Sequence, residues 1–442
     1  MVSAVPGLLG WRWQRWQERD RDDVLRGQYH LGASPFLGSS RFRMGVADLL
    51  LSLAWESETP QGTVRHRDHL FARAADIEKD PLPELLQAGL RAAAAGQTVE
   101  AAVELDDLVL RPGAAAATLP RVAFAGRRPD GAPLTPKFGR FYPAAWFPDA
   151  DRRGWMPLVR CTAASDTGVA VEAGHPLAGH SLSLAAKVVG TLDDSGDENR
   201  PAIDWLGDLV SGPGMQACWQ GEATDFLEAE SYARPDEAPD PQFYAPPRIV
   251  AHLDGRAQQT VGAIYRHIIP TDGRVLDLMS SVHSNLAGDQ RFGALYGLGL
   301  NPQEMAENPR LDGAAIADLN TDRAIPFADR SFDAAICTVS IDYLIDPVRT
   351  VAEVARVLRP GGRFAVTFSN RWFPPKVTRV WTELHPFEQM ALVVRYFEAA
   401  GGFTELETVS FRGYPRPMDD PYYRQMSTSD PVFAVVGRAR KE

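Results

Sequence analysis

The hydrophobic pattern of this chain changes period along its length, and the change divides it into two halves. From Asp48 to about Thr59 apolar and polar positions alternate, which predicts a strand with one buried face. Asp80 to Ala95 has amphipathic helical spacing, and Val99 to Val103 returns to strand. Short strand-like runs between turn residues follow at Leu119–Phe124, Phe138–Tyr142, Met156–Thr162 and Gly168–Glu172, before a last run at Leu184–Val189. Farther on, Arg248 to His267 reads as a helix with Ile249, Leu253, Ala257, Val261 and Ile264 on one apolar face. Gly273–Leu278, Ala294–Leu300 and Ala334–Val339 are nearly continuous apolar runs, as strands of a parallel sheet covered on both faces are, and Pro347–Val357 is again helical. Strands alternating with helices predict an α/β half whose ligand site lies beyond the carboxyl ends of the strands.

Composition sets the outer limits. The 442 residues, 45% hydrophobic and 23% charged, are those of a globular chain with two or three domains. The run Asp193–Pro201 is charged, turn-rich and without periodicity, and marks a boundary. The expected division is an N-terminal extension (1–47), a first module (48–190), a linker (191–204) and a second module (205–442). A net charge of −11 argues against nucleic acid as a general partner. No window of about 18 apolar residues suggests a transmembrane helix, and the Trp- and Arg-rich start lacks the apolar core of a secretory signal. Cys161, Cys218 and Cys337 lie far apart without metal-ligand spacing, so neither a metal site nor a disulfide framework is expected, and the cytoplasm is the expected compartment.

The candidate chemistry lies between Arg274 and Phe364. Val275-Leu276-Asp277-Leu278, the second strand ending at Gly299, Ala317-Asp318-Leu319-Asn320, Ser331-Phe332-Asp333 and Leu358-Arg359-Pro360-Gly361-Gly362 follow in that order. In order and spacing this segment resembles the class I SAM-dependent methyltransferases, which implies a Rossmann-like α/β fold and S-adenosyl-L-methionine (SAM) as cofactor. The resemblance places Asp277, Met279, Ser280, Ser281, Gly299, Asn301, Asp318 and Leu319 at the cofactor. Asp318 matches the position that meets the adenine amino group. Two positions depart from the pattern. Met279-Ser280-Ser281 replaces the Gly-x-Gly turn, and the acid that holds the ribose aligns with Gly299, two residues before Asn301. Residues other than glycine resist positive φ, so a differently shaped loop is expected. Asp342 and Tyr343, with Ser340, are expected to face a small-molecule or protein methyl acceptor, and His283 is the other catalytic candidate. Asn370–Pro375, Tyr244, Arg248 and His252 are candidates for the lining of the same crevice. A working SAM site, a fold kept without its cofactor and another ligand in the crevice all fit these residues.

The first module carries a second resemblance. Ser52-Leu53-Ala54-Trp55 followed by Gly62, the helix within Leu82–Gly96, an insertion at about 119–171 and the run Gly174-His175-Pro176-Leu177-Ala178-Gly179 before a final strand resemble the SlyD-type FKBP prolyl isomerases. The resemblance implies an α+β FKBP-like domain with an inserted chaperone flap. Its pocket falls on Trp55, His66, Asp68, Leu82, Pro83 and Val109. The pocket is degraded: Pro83 has no N–H where a backbone donor is expected, and Val109 replaces a tyrosine. Phe124, Phe138, Phe141, Tyr142, Trp146 and Phe147 either hold an extended or unfolded peptide at the flap or form the flap's own small core. The histidine-rich tail of such proteins is absent, so nickel binding is not expected. Two functions follow. One is a methyltransferase with an FKBP-like substrate-presenting or partner-stabilising module; the other is a chaperone-like peptide binder with weak or no isomerase activity and a non-catalytic methyltransferase fold.

Overall fold

The computed structural model describes residues 45–103, 117–121, 124–128, 131–147, 158–192 and 200–441. Val109, most of the expected linker and nearly all of the N-terminal extension lie outside these residues. In the first half, β1 (Val46–Thr59) and β2 (Gly62–Asp76) form a long hairpin, with Gly62 at φ 125° in the turn. The helix α1 (Glu84–Ala92) turns Leu86 and Leu90 onto this sheet, which β3 (Thr98–Val103) and β8 (Leu182–Leu192) complete. Between β3 and β8 is a separate four-stranded sheet of β4 (Ala117–Pro120), β5 (Phe141–Pro143), β6 (Leu158–Ala164) and β7 (Gly168–Glu172), in the order β4-β7-β6-β5.

The second half begins with α2 (Trp205–Val210), a small hairpin of β9 (Cys218–Trp219) and β10 (Glu222–Ala223), and α3 (Asp240–Tyr244). Then come α4 (Gly255–Ile268), β11 (Arg274–Leu278), β12 (Ala294–Gly299), α5 (Pro302–Ala306), β13 (Gly313–Ile316), β14 (Phe332–Thr338), α6 (Pro347–Val357) and β15 (Leu358–Phe368). The chain closes with α7 (Arg379–Glu383), α8 (Pro386–Ala400), β16 (Phe403–Arg412) and β17 (Val432–Ala439). Strands β11 to β15 are parallel, with β11 between β12 and β14, and β17 runs antiparallel between β15 and β16. This is a doubly wound sheet with its switch point beside β11.

Two helices are shorter than their hydrophobic spacing predicts, and for local reasons. The run at 248–267 becomes helical only at Gly255, because the Asp254 carboxylate accepts from the N–H groups of Arg256 and Ala257 and caps the first turn. Ile249, expected on the buried face, is 55% exposed. In the run at 80–95, Asp80 is drawn out of the helix. Its carboxylate accepts from Trp205 Nε1 at 2.7 Å, from the backbone N–H of Ile203 and from that of Asp76.

The two halves share one sheet. Strand β16 pairs in parallel with β2, from Glu407↔Arg65 to Arg412↔Leu70, giving an eleven-stranded sheet in the order β13-β12-β11-β14-β15-β17-β16-β2-β1-β8-β3. The expected isomerase pocket is therefore walled on one side by the second half, which leaves a cavity of about 350 Å³ between Trp55, His66, Asp68, Phe387 and Thr408. Trp55, His66 and Asp68 lie buried beside β16: Asp68 accepts from Trp55 Nε1 and Ser410 Oγ, and the His66 ring bridges the hydroxyls of Ser57 and Thr408 at 2.8 and 2.7 Å. Leu82 belongs to the core under α1, and Pro83 is the residue that starts that helix. In the inserted sheet, Phe141, Tyr142 and Phe147 are buried. Tyr142 and Phe147 form a core with Phe124 and Trp146 packed against it, while Phe141 joins the core of the second half. Arg128 and Arg140 pair with Glu383, and the Phe141 N–H donates to Glu388, so this sheet is docked on α7 and α8.

Burial lowers the basicity of His66 to about 3, with His180 acting in the same direction, and that of His175 and His385 to about 3. Their ordinary value is 6.5. The unfolded chain therefore takes up protons below pH 6.5 that these buried rings refuse, and the stability present above that pH is lost as pH falls toward 3. Asp68, Asp277 and Asp342, all raised by burial, work oppositely and offset part of this loss. The melting temperature is expected to be flat from pH 8 to 7 and to fall between pH 6.5 and 4.5, with a shallower fall in His66→Gln.

Candidate active site

A crevice of about 1310 Å³, including its open mouth, lies beyond the carboxyl ends of β11 to β14. Its floor is the loop after β11. Met279 takes φ 56°, so the chain makes a left-handed turn where a glycine would make it without strain. A left-handed residue other than glycine costs about 1–2 kcal/mol. Val339, at the end of β14 and also in the wall, takes φ 44°, a rarer state for a β-branched residue.

Buried polar contacts hold this loop in place. Asp277 accepts from Ser280 Oγ at 2.7 Å and Ser284 Oγ at 2.6 Å, and Asn308 Nδ2 donates to Ser284 Oγ at 2.8 Å. Burial pushes the Asp277 carboxyl up to about 6, and the two serine hydroxyls pull it back down. Ser281 Oγ donates to Glu304 Oε2 at 2.6 Å, and the Arg248 N–H donates to Glu304 Oε1 at 2.7 Å. Ser280, Ser281 and Ser284 are thus engaged within the protein.

The remaining cofactor candidates divide. Asp318 is buried and accepts from the Asn320 N–H through Oδ1 alone, leaving Oδ2 without a partner among the described residues. Leu319 is buried in the adjoining core and reaches the crevice. Asn301 lines the crevice, but its side chain is saturated: Oδ1 caps α5 through the N–H groups of Gln303 and Glu304, and Nδ2 donates to the carbonyls of Tyr244 and Ala245. Gly299 is in the wall, but a Cβ there would lie 2.3 Å from the Ser280 carbonyl oxygen. The turned loop occupies the space an acid at this strand end would need.

The opposite wall is aromatic. Tyr244, Tyr343 and Phe373 line it, and the Arg248 guanidinium lies 4.6 Å from the Phe243 ring centre and 5.2 Å from that of Phe373. The segment before it is anchored by Asp240, which takes Arg234 at 2.9 Å, the fully buried Lys376 at 3.2 Å and Asn320 Nδ2 at 2.7 Å. The Tyr343 hydroxyl accepts from the Phe373 N–H at 2.8 Å, and its acidity is suppressed by burial and by Asp342. Asp342 is not in the crevice wall. It is 3% exposed, its carboxyl is raised well above the ordinary range by burial, and it is unsuited to take a proton from an acceptor. His283 is exposed at the mouth. His252 is half-buried behind it and kept neutral by burial, with Glu304 opposing and Arg248 and His283 reinforcing the shift. The Tyr244 hydroxyl, Trp372 Nε1 and Asp342 Oδ2 are buried without a hydrogen-bond partner among the described residues. Reading the sequence passed over Glu304; the signal was the pattern Asn301-Pro302-Gln303-Glu304, a helix cap followed three residues later by an acid.

Residues 280–366 match the model of a methyltransferase domain family. An uncharacterized methyltransferase of Mycobacterium tuberculosis (strain H37Rv) is 43% identical over 56 residues, 13% of this chain and 23% of that protein. A demethylmenaquinone methyltransferase of Mycobacterium sp. (strain KMS) is 34% identical over 110 residues, 23% of this chain and 45% of that protein. The chain thus spans less than half the length of these curated relatives. Among solved structures, an S-adenosylmethionine-dependent methyltransferase from Mesorhizobium loti aligns at 16% identity and a TM-score of 0.27, covering 40% of this chain and 96% of that one. The second half has a Rossmann-like, doubly wound sheet, and its residues 280–366 are similar to methyltransferase domains. Among the described residues no helix is long and apolar enough to cross a membrane.

Restoring the familiar acid is expected to harm the protein. Gly299→Asp forces the Ser280 carbonyl aside, which should destabilise the fold by about 1–3 kcal/mol. Thermal melting is expected to show the loss, and calorimetry no gain in affinity for SAM.

Proposed function

We propose that this chain is a SAM-dependent methyltransferase acting at the crevice beyond β11–β14, and that residues 48–190 are an FKBP-like module kept as a scaffold for the methyltransferase module at 205–442. The observation that carries the first part is that Asp277, the left-handed turn at Met279 and the half-free carboxylate of Asp318 converge on one crevice, whose wall continues into the segment 280–366 matched to methyltransferase domains. The residues present fit the cofactor. Asp318 Oδ2 is a free acceptor for an adenine amino group, and the orphaned Tyr244 hydroxyl and Trp372 N–H sit in the aromatic part of the wall.

SAM, when bound, supplies an electrophilic methyl group for in-line displacement. The protein's part is to hold the acceptor in line and keep water away, which the walls of Tyr244, Tyr343 and Phe373 suit. Tyr244 and Trp372 offer donors that orient an acceptor oxygen, and His252, neutral beside the mouth, is the group suited to receive its proton. The aromatic wall, and the name demethylmenaquinone methyltransferase borne by several relatives, favour a planar oxygen-bearing small molecule over a protein side chain as acceptor. We place the protein in the cytoplasm, where its three free cysteines, all buried, stay reduced.

The scaffold reading of the first half is supported by an antiparallel sheet packed on a single helix, an inserted sheet, and a pocket region against which β16 pairs. It carries no isomerase activity and no peptide site in this reading. In a proline-limited refolding assay the full-length protein is expected to leave the rate at background; acceleration would reject that part.

Titration calorimetry with SAM and with S-adenosylhomocysteine is expected to give micromolar binding, weakened at least tenfold in Asp318→Ala. No heat and no thermal shift at millimolar ligand would overturn the methyltransferase reading and favour a non-catalytic fold.

A further inference from the structure

The crevice lacks an acid at the end of β12, yet it contains a buried carboxylate close by. Glu304, in the first turn of α5, is 8% exposed and lines the crevice. Each of its oxygens accepts one hydrogen bond from a neutral donor, Oε1 from the Arg248 N–H and Oε2 from Ser281 Oγ. No lysine or arginine pairs with it among the described residues. A carboxylate accepts about four hydrogen bonds, and one buried without a cation is costly unless further donors reach it. The alternatives nearby are closed. Gly299 cannot carry a side chain against the Ser280 carbonyl, and Asn301 has spent both ends of its amide on the cap and on the preceding segment.

We infer that Glu304 is the ribose-binding carboxylate of this crevice, supplied from the first turn of α5 because the strand end cannot bear one. The inference rests on the reading of the crevice as a SAM site. Ser281 and the Arg248 N–H fix the carboxylate's orientation, and its two remaining acceptor directions suit the paired O–H donors of a vicinal diol. The serine that replaces a glycine in the turn thereby acquires a role. It ties the loop to the acid that has moved from strand to helix.

The test is titration calorimetry of the full-length protein with S-adenosylhomocysteine and with its 2′-deoxy analogue. Wild type is expected to prefer the hydroxylated ligand about tenfold or more. Glu304→Gln is expected to bind the two alike, having lost affinity only for S-adenosylhomocysteine. If Glu304→Gln weakens both ligands by the same factor, or changes neither, Glu304 is a structural anchor and the inference fails while the cofactor reading stands. If wild type binds neither ligand, the cofactor reading itself fails and the inference with it. Should Glu304→Gln melt below the assay temperature, Glu304→Asp, one methylene shorter, carries the same comparison.

Discussion

The parallel pairing of β16 with β2 is the contact on which the rest of this architecture depends. It turns an antiparallel sheet and a doubly wound sheet into one, and it sets His66 and Asp68 against Thr408 and Ser410 in a buried seam. Every polar group named there has a partner, as low-dielectric burial requires. The Arg412 guanidinium extends the seam, donating to the carbonyls of Asp208 and Leu209 at the end of α2. Apolar packing crosses the same boundary, since Val64 and Phe141 share a core with Leu276, Val366 and Phe397. The second half is thereby braced along the edge farthest from its crevice, where β17 and β16 end the parallel run.

The crevice is shaped by a backbone turn that its own side chains hold in place. Met279 carries the turn that glycine makes without strain, and Ser280 and Ser284 hold that turn down on Asp277. The carbonyl of Ser280 then fills the space above Gly299. In this chain the loop held by serines and the bare end of β12 fit each other, because a side chain at Gly299 would meet the Ser280 carbonyl.

Much of the order of elements was legible in the sequence, because apolar runs bounded by turn residues survive folding as strands. Gly168–Glu172 and Pro347–Val357 have the bounds their periodicity predicts. Failures came where the hydrogen bonds of one carboxylate decide a boundary. Asp80 leaves its helix for Trp205, and Ile249 is freed because Asp254 starts the helix later. The crevice was legible as a set of loops, and Asp277, Met279, Ser280, Ser281, Asp318, Leu319 and Tyr343 do meet there. What could not be read was which polar groups are already consumed. Asn301 and Asp342 differ from Asp318 in their partners and burial, and both depend on residues far along the chain.

The seam also bears on how the protein is made. His66 precedes its partner Thr408 by 342 residues. On a ribosome the β1–β2 hairpin is therefore complete long before β16 exists, and for that interval β2 presents an open row of backbone donors and acceptors. Its outer positions Arg65 and Arg67 are charged, the usual device by which an unpaired edge repels its own kind. The nascent first half thus meets the period of waiting with an edge that is polar enough to stay single and specific enough to accept β16 when it emerges.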